Sequence, residues 1–328
     1  MRKDVACILV ENTTRALGDM AAYHRRRNRV SVAAITGSNG KTTTRQMTAA
    51  VVSRQYRTLS TRKNFNNDIG LPLTLFELCP EHRWAVVELG MNAPGEIRRL
   101  AEICGPDIGV ITNIGPAHLA GVGSIEGVMQ AKGELLEGLD PRGTAVLNAE
   151  DPRVAALARR TDRKVIFYGW GDPAEIKAVD ISATSRGSRF TLVLTDRTIA
   201  VDLGIPGRFM ISNALAAAAV GHLAGVSAEQ IKDGLENFEP AAGRMNIVDT
   251  SKGIHIIDDT YNANPGSMEA ALVTLKRLCG SHRSIFVSGD MKELGQQAAS
   301  LHRNIGAKAA RAGVSRIYAT GEFAATLA

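Results

Sequence analysis

The sequence Thr36-Gly37-Ser38-Asn39-Gly40-Lys41-Thr42-Thr43 separates an apolar run that ends at Ile35 from residues 41–55, which contain neither Pro nor Gly. A strand, a glycine-rich turn and a helix in this order are typical of a phosphate-binding loop. In such a loop, backbone N–H groups, the positive helix end and the Lys41 ammonium converge on phosphate oxygens, and the Thr42 hydroxyl can ligate magnesium. The first glycine of the strict G-x-x-x-x-G-K-[ST] motif falls on Ile35, so an ordinary glycine turn is the alternative.

Apolar runs alternate with helical stretches along the first two thirds of the chain. The runs span residues 32–35, 84–89, 108–112, 144–147 and 165–168. Continuous apolar runs are typical of parallel strands that are covered on both faces. We therefore predict an α/β fold with a doubly wound, mostly parallel central sheet over residues 30–240. Short strand-like segments between Val179 and Leu203 predict a small antiparallel appendage on this sheet.

A second α/β unit is predicted after a linker at residues 238–243, which contains Pro and Gly. Strand and helix patterns alternate again over 254–257, 267–278, 284–287, 297–312 and 316–319. This is room for about three βα units of roughly 30 residues, whereas a doubly wound sheet has about five or six strands. We predict an incomplete Rossmann-like domain over residues 241–328. At the other end, a lone strand (Val5 to Val10) and one helix precede the central domain.

Composition places the chain among globular proteins. It has 328 residues, 45% of them hydrophobic, with 39 Lys and Arg against 33 Asp and Glu, which excludes disordered and fibrous classes. The four cysteines form no C-x-x-C pair, so neither a zinc site nor a disulfide framework is indicated. The most apolar stretch, residues 214–226, is well short of the roughly 20 residues that span a bilayer. We expect a cytoplasmic protein without a membrane span.

One dense basic run, His24-Arg25-Arg26-Arg27 with Arg29, admits two interpretations. It could bind nucleic acid, or it could close a helix that begins near Asn12, because cations are favoured at helix C-termini. We favour the helix end and expect no nucleic-acid partner.

Two polar residues follow predicted strands at the edge where doubly wound sheets bind ligands. Glu88 ends the run 84–88, where it could ligate magnesium or cap the next helix. His118 ends the loop Asn113-Ile-Gly-Pro-Ala-His118. A loop histidine is usually unremarkable, but a phosphate-binding loop and Glu88 at the same edge favour metal ligation.

Two further positions are ambiguous from the residues alone. Lys132 lies in a helical segment, where a surface lysine is the default. Asp258-Asp259 follows the first strand of the second unit and could form a turn or hold a ribose hydroxyl.

Taken together, these motifs resemble the Mur ligase family, the ATP-dependent amide-forming enzymes of peptidoglycan precursor assembly. The resemblance covers nearly the whole chain, and the family loop also lacks the first glycine. Its other elements, in family order, are residues 64–72, Glu88-Leu-Gly-Met, residues 113–118 and Ala131-Lys132. Residues 259–268 and Gly289-Asp-Met-Lys-Glu-Leu-Gly295 most resemble the members that add D-alanyl-D-alanine to UDP-N-acetylmuramoyl-tripeptide.

This resemblance implies a role for each matching residue. Catalytic roles fall on Lys41, Glu88, His118 and Lys132. Two Mg²⁺ ions are implied, one on Thr42 and Glu88, the other on His118 and a carbamate formed on Lys132. The implied ATP contacts are Gly37, Ser38, Asn39, Gly40, Lys41, Thr42 and Thr43 for the phosphates, Asn213 for adenine, Asp259 for ribose, and the interdomain Arg244. The implied substrate contacts are Thr61, Asn66, Asn67, Tyr261, Asn262 and Asn264.

The resemblance also implies an activity and a domain plan. The activity is amide formation through an acyl phosphate, by a chain that we expect to be monomeric. Family members carry an N-terminal domain for the uridine nucleotide, of which residues 1–29 resemble a remnant, and a longer C-terminal domain. We therefore expect a chain truncated at both ends. A non-catalytic, nucleotide-binding fragment is the alternative, and a generic P-loop kinase or GTPase is disfavoured because no base-reading or arginine-finger motif stands out.

Overall fold

A nine-stranded sheet dominates the computed structural model, which describes residues 7–184 and 187–328. Within these residues the strands are β1 (Ser31–Thr36), β2 (Thr58–Ser60), β3 (Trp84–Glu88), β4 (Ile108–Ile111), β5 (Thr144–Asn148), β6 (Lys164–Gly169), β7 (Ile176–Ala183), β8 (Ser188–Val193), β9 (Thr198–Leu203), β10 (Asn246–Asp249), β11 (His255–Asp258), β12 (Ile285–Ser288) and β13 (Arg316–Ala319). The α-helices are α1 (Thr13–Arg27), α2 (Lys41–Val52), α3 (Gly70–Leu75), α4 (Glu96–Cys104), α5 (Leu119–Val122), α6 (Ile125–Glu137), α7 (Pro152–Ala156), α8 (Arg208–Leu223), α9 (Ala228–Glu236), α10 (Pro265–Cys279), α11 (Ala298–Arg311) and α12 (Ala324–Leu327).

The sheet has the strand order β2-β3-β1-β4-β5-β6-β7-β8-β9. The strands from β2 to β7 pair in parallel, and β8 and β9 continue the sheet in antiparallel pairing. This confirms the doubly wound, mostly parallel sheet and its antiparallel appendage. The carboxyl ends of the parallel strands consequently open at one edge, where we find the candidate site.

Burial on both faces explains why the central strands are apolar throughout. Along β1, Ala33 and Ile35 belong to one hydrophobic core, and Val32 and Ala34 belong to the other. Helices α2, α8 and α9 cover the first face, and α1, α4 and α6 cover the second. Because Ile35 is in register with Glu88, the loop after β1 and the carboxylate at the end of β3 emerge side by side.

The segment 243–328 builds a smaller unit with its own core of Met268, Leu272, Met291, Leu294, Ile305, Ala309 and Leu327. Strands β12 and β13 pair in parallel, and helices α10 and α11 pack against them. Strand β10 was not predicted from the sequence, and it pairs with β11 as an antiparallel hairpin. It was missed because Asn246 and Asp249 flank only two apolar residues, too short a pattern to distinguish from the linker.

The N-terminal strand prediction, Val5 to Val10, is wrong for the part that the structure describes. Residues 1–6 lie outside that part, and residues 7–10 form no strand. Ile8 and Leu9 are 85% and 99% exposed, so these residues have no neighbouring strand with which to pair.

The basic run closes α1, as the helix-end interpretation predicts. Arg25 is used within the protein, because its guanidinium donates to the carbonyl oxygens of Cys104 (2.7 Å) and Gly105 (2.9 Å). In the described part of the chain, no helix is both long enough and apolar enough to cross a membrane.

Helices α2 and α9 are in close contact, which provides a test of the fold. The contact matters for the site because Lys41 is the first residue of α2. A Cβ atom at Gly234 would lie 2.7 Å from Val51 Cα and 3.0 Å from Val51 N. Gly234→Ala should therefore lower the free energy of unfolding by about 1–3 kcal/mol through overpacking, although alanine normally favours a helix by about 1 kcal/mol. Urea denaturation measures the change.

Gly133→Ala in α6 is the matched control. There the nearest atom to an added Cβ, at 3.1 Å, is the end of the flexible Leu157 side chain, so the change should be neutral within about 1 kcal/mol. Equal stability of the two variants would contradict the proposed spacing of α2 and α9.

Candidate functional site

A cleft of about 740 Å³ lies at the carboxyl edge of the sheet, between the sheet and the segment 243–328. This volume is within the range of roughly 300–1,000 Å³ that is usual for ligand sites. Most residues that the sequence singled out line it: Ser38, Asn39, Gly40, Lys41, Thr42, Thr43, Asn66, Asn67, Glu88, His118, Asn213, Arg244, Asp259, Tyr261, Asn262 and Asn264. Gly37, Thr61 and Lys132 are buried and are not among the residues that line it.

Residues 36–40 need glycine at two positions. Gly40 has a φ of +79°, and a Cβ there would lie 2.5 Å from Asn213 Oδ1. A Cβ at Gly37 would collide with the Thr112 hydroxyl. Helix α2 then begins at Lys41 with no side-chain cap and no acidic residue in its first turn. A helix N-terminus left in this state favours an anion.

Asn113 holds the loop through two hydrogen bonds. Its carbonyl accepts from Ser38 N at 2.9 Å, and its side-chain oxygen accepts from Asn39 N at 2.8 Å. These two N–H groups are therefore already bonded within the protein. A bound phosphate would instead meet the first N–H groups of α2 and the Lys41 side chain. No role was predicted for Asn113, although it lies in the motif that ends at His118.

The Glu88 side chain is 3% exposed and is held from two sides. Asn66 Nδ2 donates to Oε1 at 2.8 Å, and the backbone N–H of Glu88 donates to Thr61 Oγ1 at 3.1 Å. Oε2 has no hydrogen-bond donor among the described residues. The helix-capping alternative is not what we observe, because α4 is capped by Gly95 without a side-chain bond. A buried carboxylate oxygen without a donor fits a cation ligand.

His118 lies opposite Glu293, a residue that the sequence analysis did not assign to the site. His118 Nδ1 is 2.5 Å from Glu293 Oε2, and Ala120 N donates to the Glu293 carbonyl at 3.1 Å. Both His118 and Glu293 adopt a positive φ, of +57° and +63°. The segment 243–328 thus reaches the histidine directly.

The protonation state of His118 is set by its surroundings. Burial lowers its pKa, the charge of Lys41 lowers it further, Glu293 opposes this, and Lys132 lowers it again. A lowered pKa favours the neutral imidazole, which is the form that ligates metals.

Lys132 is 1% exposed, so the surface-lysine default is wrong. Burial lowers its pKa well below the ordinary lysine value, and the nearby Lys41 lowers it further. The pKa of Lys41 is also lowered by burial, with Glu88 opposing and Arg244 reinforcing this effect. The amine of Lys132 is therefore driven towards its neutral, nucleophilic form.

Residues of the segment 243–328 also contact the phosphate-binding loop. The Arg244 guanidinium stacks 4.1 Å from the Tyr261 ring centroid and donates to Thr42 Oγ1 at 3.0 Å. Asn264, which caps α10, donates to Asn39 Oδ1 at 2.6 Å. Direct side-chain bonds thus link the two walls of the cleft.

The acidic pair after β11 has two separate roles. Asp258 makes the turn, since its carboxylate accepts from the N–H and hydroxyl of Thr260. Asp259 lines the cleft, where burial raises its pKa and the N–H of Met245 opposes this by donating to it. The turn interpretation therefore applies to Asp258, and the contact of Asp259 with a ribose stays a prediction.

Across residues 7–184 and 187–328, no three His, Cys, Asp or Glu side chains converge as a metal cage. This is compatible with Mg²⁺, which is usually held by one or two carboxylates together with substrate phosphates. The Glu88 oxygen without a donor and the Thr42 hydroxyl, which belongs to a residue that lines the same cleft, are suitable protein ligands for such an ion.

Comparison with known proteins gives a consistent result. Residues 35–221 match the Mur ligase middle domain, and residues 243–328 match the Mur ligase glutamate ligase domain. The UDP-N-acetylmuramoyl-tripeptide–D-alanyl-D-alanine ligase of Escherichia coli is 38% identical, with 97% of this chain and 71% of that protein covered. The Bacillus subtilis protein of the same name is 36% identical, with coverages of 98% and 70%.

Solved structures agree with these matches. A crystal structure of MurF from Acinetobacter baumannii superposes with a TM-score of 0.94 at 36% identity, covering 100% of this chain and 72% of that one. MurF from Thermotoga maritima in complex with ADP superposes with a TM-score of 0.90 at 27% identity, covering 99% and 76%.

The burial of Lys132 predicts a stability effect with a definite sign. At pH 7 the unfolded lysine is protonated, whereas the folded state disfavours its charge, so folding carries a cost that methionine removes. Lys132→Met should raise the free energy of unfolding by about 1 kcal/mol or more in CO₂-free buffer, since one pKa unit corresponds to about 1.4 kcal/mol. The gain should shrink as the pH rises towards 10, where the unfolded lysine also loses its proton.

Urea denaturation at pH 7 and pH 10 measures this difference. Lys252→Met, at an exposed position, is the control and should show no such pH-dependent gain. A Lys132→Met protein no more stable than the parent at pH 7 would contradict the lowered pKa.

Proposed function

The chain belongs to the Mur ligase family, and we propose that it is an ATP-dependent ligase that joins D-alanyl-D-alanine to UDP-N-acetylmuramoyl-tripeptide in peptidoglycan precursor synthesis. The observation that carries this proposal is the convergence of the loop 36–43, Glu88, His118 and residues 259–264 on one cleft. Relatives with that activity in their names match almost the entire chain. The compartment that we propose is the cytoplasm, because the cysteine spacing indicates no disulfide framework and a reducing compartment is then the default.

The electrostatics of the cleft suit these substrates. ATP, the tripeptide carboxylate and the transferred phosphoryl group are all anionic, so their approach requires positive charge in a protected site. Lys41 and Arg244 supply it, and they lie close enough together for the charge of Arg244 to lower the pKa of Lys41. Their mutual repulsion is relieved when a polyanion binds.

Magnesium fits the donors of this cleft. We propose that Thr42 and Glu88 hold one Mg²⁺, and that His118 and a carbamate on Lys132 hold a second. When bound, these ions offset the charge that develops on the phosphate oxygens. The Glu88 oxygen that lacks a donor and the lowered pKa of His118 support this assignment.

The carbamate follows from the state of Lys132. A neutral amine attacks the carbon of CO₂, an N–C bond forms, and the nitrogen loses a proton, so that the side chain becomes an anion. Burial and the charge of Lys41 lower the pKa of this amine, which favours its neutral form before the reaction. The same positive charge of Lys41 then stabilises the anion that results.

The proposed reaction has two steps. An oxygen of the tripeptide carboxylate attacks the γ-phosphorus and breaks its bond to ADP, which gives an acyl phosphate. The amine of D-alanyl-D-alanine then attacks the acyl carbon, phosphate leaves, and the amine gives up a proton. Lys41 and Arg244 hold the phosphate charge, Asn213 and Asp259 contact the nucleoside, and Asn66, Asn67, Tyr261, Asn262 and Asn264 contact the remaining substrate groups.

An assay with ATP, Mg²⁺, the UDP-linked tripeptide and D-alanyl-D-alanine tests the proposed function. We expect phosphate release that requires both acceptor substrates, and a product whose mass is that of the joined substrates less one water. Lys41→Ala should reduce turnover by at least about 100-fold, the usual scale for losing one preorganised charge in the transition state. Lys252→Ala is the control and should behave as the parent.

Nucleotide binding without product would contradict the proposed function, provided that the Escherichia coli ligase forms product in the same mixture. That result would favour the non-catalytic alternative.

Lys132→Ala tests the carbamate. Activity should fall at least about 100-fold, the scale on which a lost metal ligand or its support reduces activity. Added formate or acetate should restore part of it, because a free carboxylate can occupy the space of the missing one. Turnover as a function of carboxylate concentration measures the rescue, with Lys41→Ala as the variant that should not respond. Unrescued loss would contradict the carbamate assignment.

A further inference from the structure

Arg45 is a buried arginine on α2, one helical turn after Lys41, and nothing in the sequence motifs assigns it a role. Its side chain is 6% exposed. One guanidinium nitrogen donates to Ser60 Oγ at 2.8 Å and also to the Thr61 carbonyl oxygen. Another, Nε, lies 3.6 Å from Glu88 Oε2. Three parts of the cleft therefore meet at this residue: α2, the end of β2 and the end of β3.

The Arg45–Glu88 pair is too enclosed to be an ordinary surface ion pair. The Glu88 side chain is 3% exposed, and removal of either partner from such a pair leaves an uncompensated buried charge. Burial lowers the pKa of Arg45, and Glu88 opposes this. The carboxylate therefore stabilises the charged guanidinium in its buried position.

The spacing of the pair leaves Glu88 free to bind something else. At 3.6 Å the two groups attract each other but do not form a hydrogen bond. Neither Arg45 Nε nor Glu88 Oε2 has another hydrogen-bond partner in the described part of the chain. Oε1, in contrast, is occupied by Asn66 Nδ2. The carboxylate is thus held by a hydrogen bond at Oε1 and oriented by the charge of Arg45 at Oε2. The lone pairs of Oε2 remain available to bind a cation.

We propose that Arg45 is a positioning residue that orients Glu88 Oε2 for a divalent cation and that links residues 60–66 to Glu88. Arg45 donates hydrogen bonds to Ser60 and Thr61. Asn66 and the Thr61 hydroxyl in turn form hydrogen bonds with Glu88. This inference rests on the proposed function, because it takes Glu88 as a cation ligand.

The shape of the guanidinium explains why lysine would serve less well here. A planar fork can donate to Ser60 and Thr61 while a second edge faces Glu88, whereas an ammonium is a single point charge on a flexible stem. Arg45→Lys should therefore retain the attraction to Glu88 but lose part of the orientation.

Binding of Mn²⁺ in the presence of ADP, followed by the electron paramagnetic resonance of free Mn²⁺, tests this role without turnover. Arg45→Met should weaken Mn²⁺ binding at least tenfold, and Arg45→Lys should weaken it about threefold. The affinity for ADP without metal should change less than threefold in both variants, because Arg45 contacts Glu88 rather than the phosphate-binding loop. Melting temperatures verify folding, and Arg45→Lys carries the test if Arg45→Met does not fold.

A double-mutant cycle with Glu88→Gln distinguishes positioning from general stabilisation. If Arg45 acts through Glu88, then Arg45→Met, or Arg45→Lys in its place, should reduce Mn²⁺ affinity less than twofold once Glu88 is glutamine. Arg25→Met is the matched control. Like Arg45, Arg25 is an arginine with a poorly exposed side chain, two hydrogen-bond acceptors and an acidic partner. Its acceptors are two backbone carbonyl oxygens, its acidic partner is an aspartate, and it lies at the opposite edge of the sheet. Its loss should lower the melting temperature and leave Mn²⁺ affinity unchanged.

The outcomes separate this inference from the function on which it rests. Parent protein that binds ADP but takes up no Mn²⁺ would overturn the metal assignment and this inference with it. If the parent protein binds Mn²⁺ and the Arg45 variants bind it equally well, only the role of Arg45 is overturned. The same holds if the Arg45 and Glu88 substitutions reduce Mn²⁺ affinity by factors that multiply in the double variant.

Discussion

Basic side chains crowd the carboxyl edge of the sheet, and the electrostatics of the cleft follow from their burial. Arg45 and Lys132 are buried, and Lys41 and Arg244 are partly buried, whereas the carboxyl groups near them are the buried Glu88 and the partly buried Asp259. Holding them out of water costs free energy, which the protein recovers only in part from its own contacts. The lowered pKa values of Lys41 and Lys132 are the physical signature of that cost. A polyanion and its cations complete the electrostatics of the site.

The fold supplies the rigidity that such a site requires. Parallel pairing brings the ends of β1, β3 and β4 to one edge, and a hydrophobic core on each face keeps these strands in place. Glycine at position 40 allows Asn213 to approach the loop. From the other side, Arg244, Asn264 and Glu293 bring the segment 243–328 into direct contact with the loop and with His118.

Local motifs could be predicted from the sequence, and long-range contacts could not. The loop 36–43 and the position of Glu88 follow from strand and turn patterns that neighbouring residues determine. The burial of Lys132 does not, because helical spacing near it does not show which face packs inward. Arg45 and Glu293 were missed for the same reason: their partners are 43 and 175 residues away in the sequence. The strand predicted at Val5 to Val10 was wrong for residues 7–10 because an apolar run alone does not supply a pairing partner.

In the proposed site, Thr42 and Glu88 present their oxygens to a cation that the nucleotide shares. Crystals grown with ADP and MnCl₂, measured for anomalous scattering of manganese, test this arrangement. We expect an anomalous peak within coordinating distance of Glu88 Oε2 and Thr42 Oγ1 and in contact with a phosphate oxygen. Bound ADP with the manganese peak elsewhere, and with Glu88 unliganded, would contradict it.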